Sequence, residues 1–464
     1  MKRREALKTL LAAMALPSVL ASRSGTTAVH RGASGRSRPP NIILILADDL
    51  GYGQLGCNGN LYNETPNLDR IANEGMRFSN AYAAAAVCSP TRAALMTGKH
   101  PARQGITDYL ARDDDHFLSP SYITINERLE SAGYVTGLIG KWHLTGDYGK
   151  NLGAPQRHGW HEVLLSETRY IASGAYFAPY FFMPRVQPRE PGEYLTERLN
   201  TEAVEFIRRH RDEPFFLYLS HYAVHKEMAA RDEIIAKYAN KFGAGLNGND
   251  PVLAAMLESV DDGVGQILQT LEALGIDDDT LVVFTSDNGG ETANTPLRTG
   301  KSTLYEGGIR VPLVMRYPDG IRAAVASDIP AVTHDLYPTF MELARVRPRD
   351  RQPVDGFSLA PIFRGRGELG RNTLYWHYPR VKPHSLGGRS SGAIRAGDYK
   401  LIEFFDTGEL ELYDLRADVG EANNLASSMP GKVAEMREML GAWRTSTDAS
   451  MEPMRTLAMS DARR

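Results

Sequence analysis

Asn41-Ile42-Ile43-Leu44-Ile45-Leu46-Ala47 is an unbroken run of aliphatic and β-branched residues that stops on Asp48-Asp49. A strand written this way has no polar face, so it is buried on both sides, as the inner strands of a parallel sheet are. Far downstream, Leu281-Val282-Val283-Phe284-Thr285-Ser286 repeats the design and stops on Asp287-Asn288-Gly289-Gly290. Ligands of open α/β sheets collect at the carboxyl ends of the strands, so two inner strands that both end on hard oxygen donors predict one shared cation site. Three carboxylates and a carboxamide suit calcium or magnesium better than zinc. Either motif taken alone also reads as an ordinary turn.

Val87-Cys88-Ser89-Pro90-Thr91-Arg92-Ala93-Ala94-Leu95-Met96-Thr97-Gly98 reads as a short helix with a proline-set start and a glycine stop. Cys88 then lies at a helix N-terminus, where free N–H groups and the dipole favour anions. Arg92, one turn on, faces it with a fixed positive charge. A buried structural cysteine is the alternative reading. Cys57 and Cys88 are the two cysteines of the chain, too few for a disulfide framework, and Cys57 reads as a small buried hydrophobe.

Two more strand-like pieces end in basic residues. Tyr134 to Ile139 leads into Gly140-Lys141-Trp142-His143-Leu144, and Pro214 to Ser220 leads into His221-Tyr222-Ala223-Val224-His225-Lys226. Lys141 and His143, one residue apart on an extended segment, point to the same side and reach one anion. A solvated lysine beside a core histidine is the alternative.

Cys-x-Pro-x-Arg followed by Ala-x-x-x-Thr-Gly resembles the signature of the type I, formylglycine-dependent sulfatases of the alkaline-phosphatase-like superfamily. Related stretches follow in family order from about residue 40 to about residue 427. They include Asp48 to Gly56, with Gln54 where an Asp is common, and Glu64 to Gly75. Gly140 to His143, Pro296 to Pro312, Tyr337 to Ala344 and Tyr413 to Leu425 complete the set. The resemblance implies an α/β fold, a large mixed, mainly parallel sheet sandwiched by helices, and hydrolysis of sulfate esters. It also implies that Cys88 is oxidised to formylglycine (3-oxoalanine) and that one Ca²⁺ is bound by Asp48, Asp49, Asp287, Asn288 and the modified Cys88. Arg92 would assist the nucleophile, Lys141 and Lys301 would contact the sulfate, His143 would partner the formylglycine hydrate, and His225 would protonate the departing alcohol. Val224 stands where the family usually has proline. Arg298 and Arg310 read as structural pairs. The implied partners are a sulfated carbohydrate substrate, a formylglycine-generating enzyme and the export machinery. The alternatives are a phosphonate or phosphate monoester hydrolase of the same superfamily, and a non-catalytic sugar-binding protein with unmodified Cys88.

The 464 residues, 42% hydrophobic, suffice for one large domain and a smaller one, expected at 40–370 and 371–464. A net charge of −3 with mixed signs gives no field for nucleic acid or an anionic membrane surface. Met1 to Ala21, with Arg3-Arg4 ahead of a short apolar run, resembles a twin-arginine signal peptide, and 22–39 reads as a flexible linker. That places the protein in the periplasm or outside the cell, without a stable membrane anchor, because the run is too short for a bilayer core of about 30 Å. Pro251 to Gly275 carries a helical stripe through Leu253, Met256, Leu257, Val260, Val264, Ile267, Leu268, Leu271 and Leu274. Asp261 and Asp262 are expected on its solvated face. Short alternating segments between Ala393 and Leu415 predict a small antiparallel sheet, covered by a helix from about Lys432 to Trp443. The loop Pro383 to Ser391 is expected at the mouth of the site.

Overall fold

The computed structural model describes residues 38–170, 176–346, 352–365 and 367–454. The expected signal peptide, and all but the last two residues of the expected linker, lie outside the described residues. In chain order the first ten strands are β1 (Asn41–Ala47), β2 (Met76–Phe78), β3 (Ala81–Tyr82), β4 (Val135–Gly140), β5 (Glu162–Leu164), β6 (Phe215–Ser220), β7 (Thr280–Ser286), β8 (Leu313–Arg316), β9 (Val325–Ser327) and β10 (Ala331–Val332). Strands β3 and β10 pair with each other, and the other eight form one sheet in the order β5-β4-β6-β1-β7-β8-β2-β9. From β5 to β7 every pairing is parallel, and β8 turns the sheet mixed by running antiparallel to β7 and β2.

All seven residues of β1 are buried, and their alternation feeds two separate cores. Ile43 and Ile45 pack with the helices Leu195–Arg209 and Pro251–Leu274. Ile42, Leu44 and Leu46 pack on the opposite face with Cys88–Thr97, Ile125–Glu130 and Leu336–Leu343. Each such side chain contributes about 1.5–3 kcal/mol relative to exposure, which is why an all-apolar strand is stable only between two helical layers. The helix Pro251–Leu274 buries the expected stripe as far as Leu271, leaves Leu274 half-buried, is capped by the Asp250 carboxylate and stops at Gly275 with φ 67°.

Asp261 departs from its expected place. It is not solvated but buried, and its carboxylate accepts from the backbone N–H of Asn67 at 3.0 Å, the side chain of Asn67 at 2.8 Å and the N–H of Leu68 at 2.8 Å. These donors belong to the first turn of the helix Pro66–Glu74, whose orphan N–H groups need an acceptor. Burial pushes the Asp261 carboxyl from 3.8 up to about 6. With the folded-state value raised, its stabilising contribution is full below 3.8 and is lost as pH rises through about 6. Asp261→Ala is therefore expected to cost about 1–3 kcal/mol in urea unfolding, with a larger gap from the parent at pH 4 than at pH 7.5. A gap that grows with pH would contradict this.

The C-terminal sheet contains β11 (Thr373–Tyr378), β12 (Ser391–Ala396), β13 (Tyr399–Phe404) and β14 (Leu410–Asp414), antiparallel in that order. Strand β11 extends it beyond the segments read from the sequence. One face, with Trp376, Tyr378, Ile402 and Tyr413, packs on Ala86, Val87, Leu304 and Ile309. The other face, with Ile394, Leu401 and Leu412, receives Met436 and Leu440 of the helix Pro430–Thr447. The small sheet thus backs the residues just before Cys88 and just after Lys301. No helix among the described residues is long and apolar enough to cross a membrane.

Candidate active site

Four parallel strands end at one level. Ala47 pairs with Ser286, Leu46 with Ser220, and Gly140 with Ser220, so the next residues of each chain emerge together at the carboxyl edge. Asp48 and Asp49 leave β1, Asp287 and Asn288 leave β7, and Lys141 leaves β4. The Asp49 N–H donates to Asp287 Oδ1 at 3.1 Å, and the Asn288 side-chain amide donates to Asp49 Oδ1 at 2.7 Å. Asn288 Oδ1 is buried without a hydrogen-bond partner. The helix Cys88–Thr97 points its first residue into this group, with the Cys88 thiol 3.4 Å from Asp48 Oδ1 and 3.8 Å from Asp49 Oδ1. Oxygens of Asp48, Asp49 and Asp287 and the Cys88 sulfur all lie within 4.8 Å of one another.

Each carboxylate has a buried cation. Arg92, 0% exposed, binds Asp287 at 2.7 Å and approaches Asp48 at 3.5 Å. It also donates to Ser220 Oγ at 2.7 Å and to the Lys141 carbonyl at 3.2 Å. Lys141 pairs with Asp48, and Lys301 pairs with Asp49 at 2.6 Å and Glu291 at 3.1 Å. Burial, reinforced by Asp287 and Asp49, lifts the Asp48 carboxyl to about 8. Asp49 is buried as well, yet Lys301 holds it below the usual carboxylate range. Burial and then Asp287 raise the Cys88 thiol well above 9.0. The helix N-terminus therefore does not activate the thiol, because burial, with Asp287 beside it, outweighs half a dipole charge.

Lys141 and His143 reach the site by a route other than strand alternation. Strand β4 stops at Gly140, whose φ is 102° and where a Cβ would meet the Ser220 carbonyl at 2.0 Å. His143 itself has φ 54°, so the extended geometry expected for this pair is replaced by a turn. Buried Glu167 ties that turn down, accepting from the N–H groups of Trp142, at 3.0 Å, and His143. The His143 ring meets the Leu110 carbonyl through Nε2 at 3.0 Å, while Nδ1 is buried without a partner. Burial, then Lys141 and Arg92, keep His143 well below 6.5.

His225 lies at the rim, its Nε2 3.7 Å from Asp49 Oδ2. Val224 supplies what a proline lacks, a backbone N–H, which donates to the Asp48 carbonyl at 2.8 Å. Arg298 donates to the Tyr413 hydroxyl at 2.8 Å, and Arg310 to the Ser79 carbonyl and Glu306, so both sit in structural pairs. The loop after β11 packs against the Lys301 segment. Gly388 lies so near that a Cβ would meet the Ser302 carbonyl at 1.8 Å, and the His384 ring stands edge-on to Tyr109 at 5.8 Å. Ser220, Glu167 and Glu291 were not singled out from the sequence. Of these, Ser220 alone carried a signal, as the last residue of a strand aimed at the site.

A mainly parallel α/β sheet thus gathers acidic donors, a buried arginine and two lysines at its carboxyl edge. Residues 40–346 match the family model for sulfatases, and residues 299–444 match that for the N-sulphoglucosamine sulphohydrolase C-terminal region. Arylsulfatase A of Homo sapiens is 33% identical, over 87% of this chain and 87% of its own. A sulfatase of Formosa agariphila is 31% identical, over 88% and 89%. The crystal structure of Ps i-CgsB in complex with k-i-k-neocarrahexaose superposes with a TM-score of 0.79 at 30% identity, covering 91% of this chain and 98% of that one. The chain belongs to the sulfatase family and is a sulfuric ester hydrolase.

Proposed function

We infer that this enzyme removes sulfate from a sulfated carbohydrate outside the cytoplasm, using formylglycine at position 88 and one Ca²⁺. The observation that carries the reading is the convergence of Asp48, Asp49, Asp287, the unpartnered carboxamide oxygen of Asn288 and residue 88 at one sheet edge. These donors fit the cation, since the set is hard oxygen throughout apart from residue 88, and Asp48, Asp49, Asp287 and Asn288 would hold it. Bound there, Ca²⁺ supplies Lewis acidity and positive charge where the sulfate oxygens gather. The three carboxylates are already balanced by Arg92, Lys141 and Lys301, so a divalent cation gives the site a net positive charge suited to a sulfate ester.

As a thiol Cys88 is inert, because it is kept protonated. Converted by a formylglycine-generating enzyme and hydrated, residue 88 offers one hydroxyl to attack sulfur and a second whose deprotonation expels sulfate and restores the aldehyde. Arg92 holds the attacking oxygen as an oxyanion, and Lys141 and Lys301 offset the charge that develops on the sulfate. His143 is kept neutral by burial and two neighbouring cations, so its role as acceptor of the second proton requires the bound sulfate to offset those charges. Burial, then Lys301, depress His225 to about 3, so its role as acid requires a substrate sulfate to offset the Lys301 charge. The carbohydrate class is supported by the hexaose bound to Ps i-CgsB and by the loop Pro383 to Ser391 beside Lys301. Residues 40–370 would carry the chemistry and 371–464 the rim, after export directed by residues 1–21.

Peptide mass spectrometry of active enzyme is expected to show formylglycine at position 88, chelation to remove activity and Ca²⁺ to restore it. An aryl sulfate should be turned over faster than the matching aryl phosphonate. An active preparation holding only unmodified cysteine rejects the mechanism, and a preference for the phosphonate rejects the substrate class. His225→Ala should lose about 10²–10⁴-fold on a sulfated sugar and clearly less on nitrophenyl sulfate, whose leaving group departs without a proton. Equal losses on the two would remove His225 from the acid's role.

A further inference from the structure

Glu291 stands three residues beyond Asn288, at the end of the turn that leaves β7. Its Oε1 is 3.1 Å from the Lys301 ammonium and 3.9 Å from that of Lys226. A carboxylate oxygen of Glu291, a ring nitrogen of His225 and a carboxylate oxygen of Asp49 lie within 4.8 Å of one another. The same turn also holds the Lys301 backbone, whose N–H donates to the Gly290 carbonyl at 2.9 Å. Lys301 is thus gripped at both ends, its ammonium bridging Asp49 and Glu291. Lys226, 53% exposed, has no such grip from Glu291.

A lysine ammonium is a point charge on a four-carbon stem with three rotatable donors, so it clamps an anion well only when its position is fixed beforehand. Asp49 is one of the residues that would bind the cation, which leaves Glu291 as the carboxylate free to hold the ammonium. We propose that Glu291 is a positioning residue that fixes Lys301 for sulfate binding. The inference rests on the reading of Lys301 as a sulfate contact. It runs against bulk electrostatics, since a carboxylate beside an anion site should weaken anion binding, and the sign of the effect therefore decides the matter.

The probe is inorganic sulfate, measured by calorimetry on the holoenzyme and as a competitive inhibitor of nitrophenyl sulfate turnover. Glu291→Ala is expected to weaken sulfate binding and raise KM by about 10-fold, the scale seen when a residue that orients a ligating group is lost, with a smaller change in kcat. Glu291→Gln keeps an acceptor for the ammonium and should recover most of the loss. In a Lys301→Ala background, Glu291→Ala should add nothing, because both changes remove one interaction. Tighter or unchanged sulfate binding in Glu291→Ala, or a fall in Tm alone, overturns the proposal. A loss much larger on a sugar sulfate than on nitrophenyl sulfate overturns it too, assigning Glu291 to His225 instead. If Lys301→Ala itself leaves sulfate binding intact, the clamp reading fails first and the proposal falls with it.

Discussion

Cys88→Ala is expected, on the proposed mechanism, to lower kcat/KM on nitrophenyl sulfate by roughly 10⁵-fold or more while leaving the fold in place, because loss of the nucleophile costs nearly all of the chemical acceleration. The thiol contributes little to stability here. Its sulfur makes two long contacts, at 3.4 Å to Asp48 and 3.8 Å to Asp49, and the helix behind it is held by Pro90, by Gly98 with φ 68°, and by the Arg92–Asp287 pair at 2.7 Å. Circular dichroism and Tm close to those of the parent, together with the loss of turnover, would place the effect in the chemistry. Residual activity within tenfold of the parent would mean that another group attacks sulfur. Arg92→Ala is a poorer test of the same step, since it also leaves Asp287 buried without its cation.

Lys400→Met is expected to destabilise the folded protein by about 3–5 kcal/mol, the usual cost of removing one partner from a buried ion network. Lys400, Glu306 and Glu421 are each 0% exposed, and the ammonium lies 3.0 Å from Glu306 and 2.9 Å from Glu421. Without it, two carboxylates face each other in the interior. Burial already raises Glu421 from 4.5 to about 7 in the presence of Lys400. A carboxyl raised on folding contributes stability that is full below 4.5 and lost as pH rises through the folded value, so the deficit of the variant should widen between pH 5 and pH 8. Thermal denaturation at those two pH values checks both the size and the sign, and a deficit that narrows with pH would contradict the assignment. Glu421→Gln in the same chain should recover part of the loss. Activity should fall as well, because the short helix Glu306–Ile309 backs the turn after β7 through the Gly289 N–H, which donates to the Gly308 carbonyl at 2.9 Å.

Much of the fold and of the site is legible in the sequence. The run Asn41 to Ala47 can be stable only with both faces covered, and the segment Cys88 to Gly98 carries its own start and stop. Both signals are local, so they survive without tertiary knowledge. Asp48, Asp49, Asp287 and Asn288 were legible for a related reason: strands of a parallel sheet end at a common edge, so residues that terminate two inner strands must be neighbours.

What the sequence left open lies in contacts between distant segments. Asp261 looked like part of a solvated face, but the first turn of another helix reaches it and needs its oxygens. The pairing of Lys141 with His143 followed from strand alternation on paper, whereas Gly140 ends the strand one residue too early for that rule to apply. Val224 read as a departure from the family pattern, and only the fold revealed the Asp48 carbonyl that its N–H serves. The amino-acid order by itself determined which segments must be buried, where they stop and which side chains stand at the stops, since burial and termination depend on near neighbours. The partners of those side chains, Glu167 beneath His143, Glu291 beside Lys301 and Lys400 between two glutamates, were decided by the tertiary structure alone, because a charge in the interior is stable only where the folded chain brings it a counter-charge or a donor from far along the sequence.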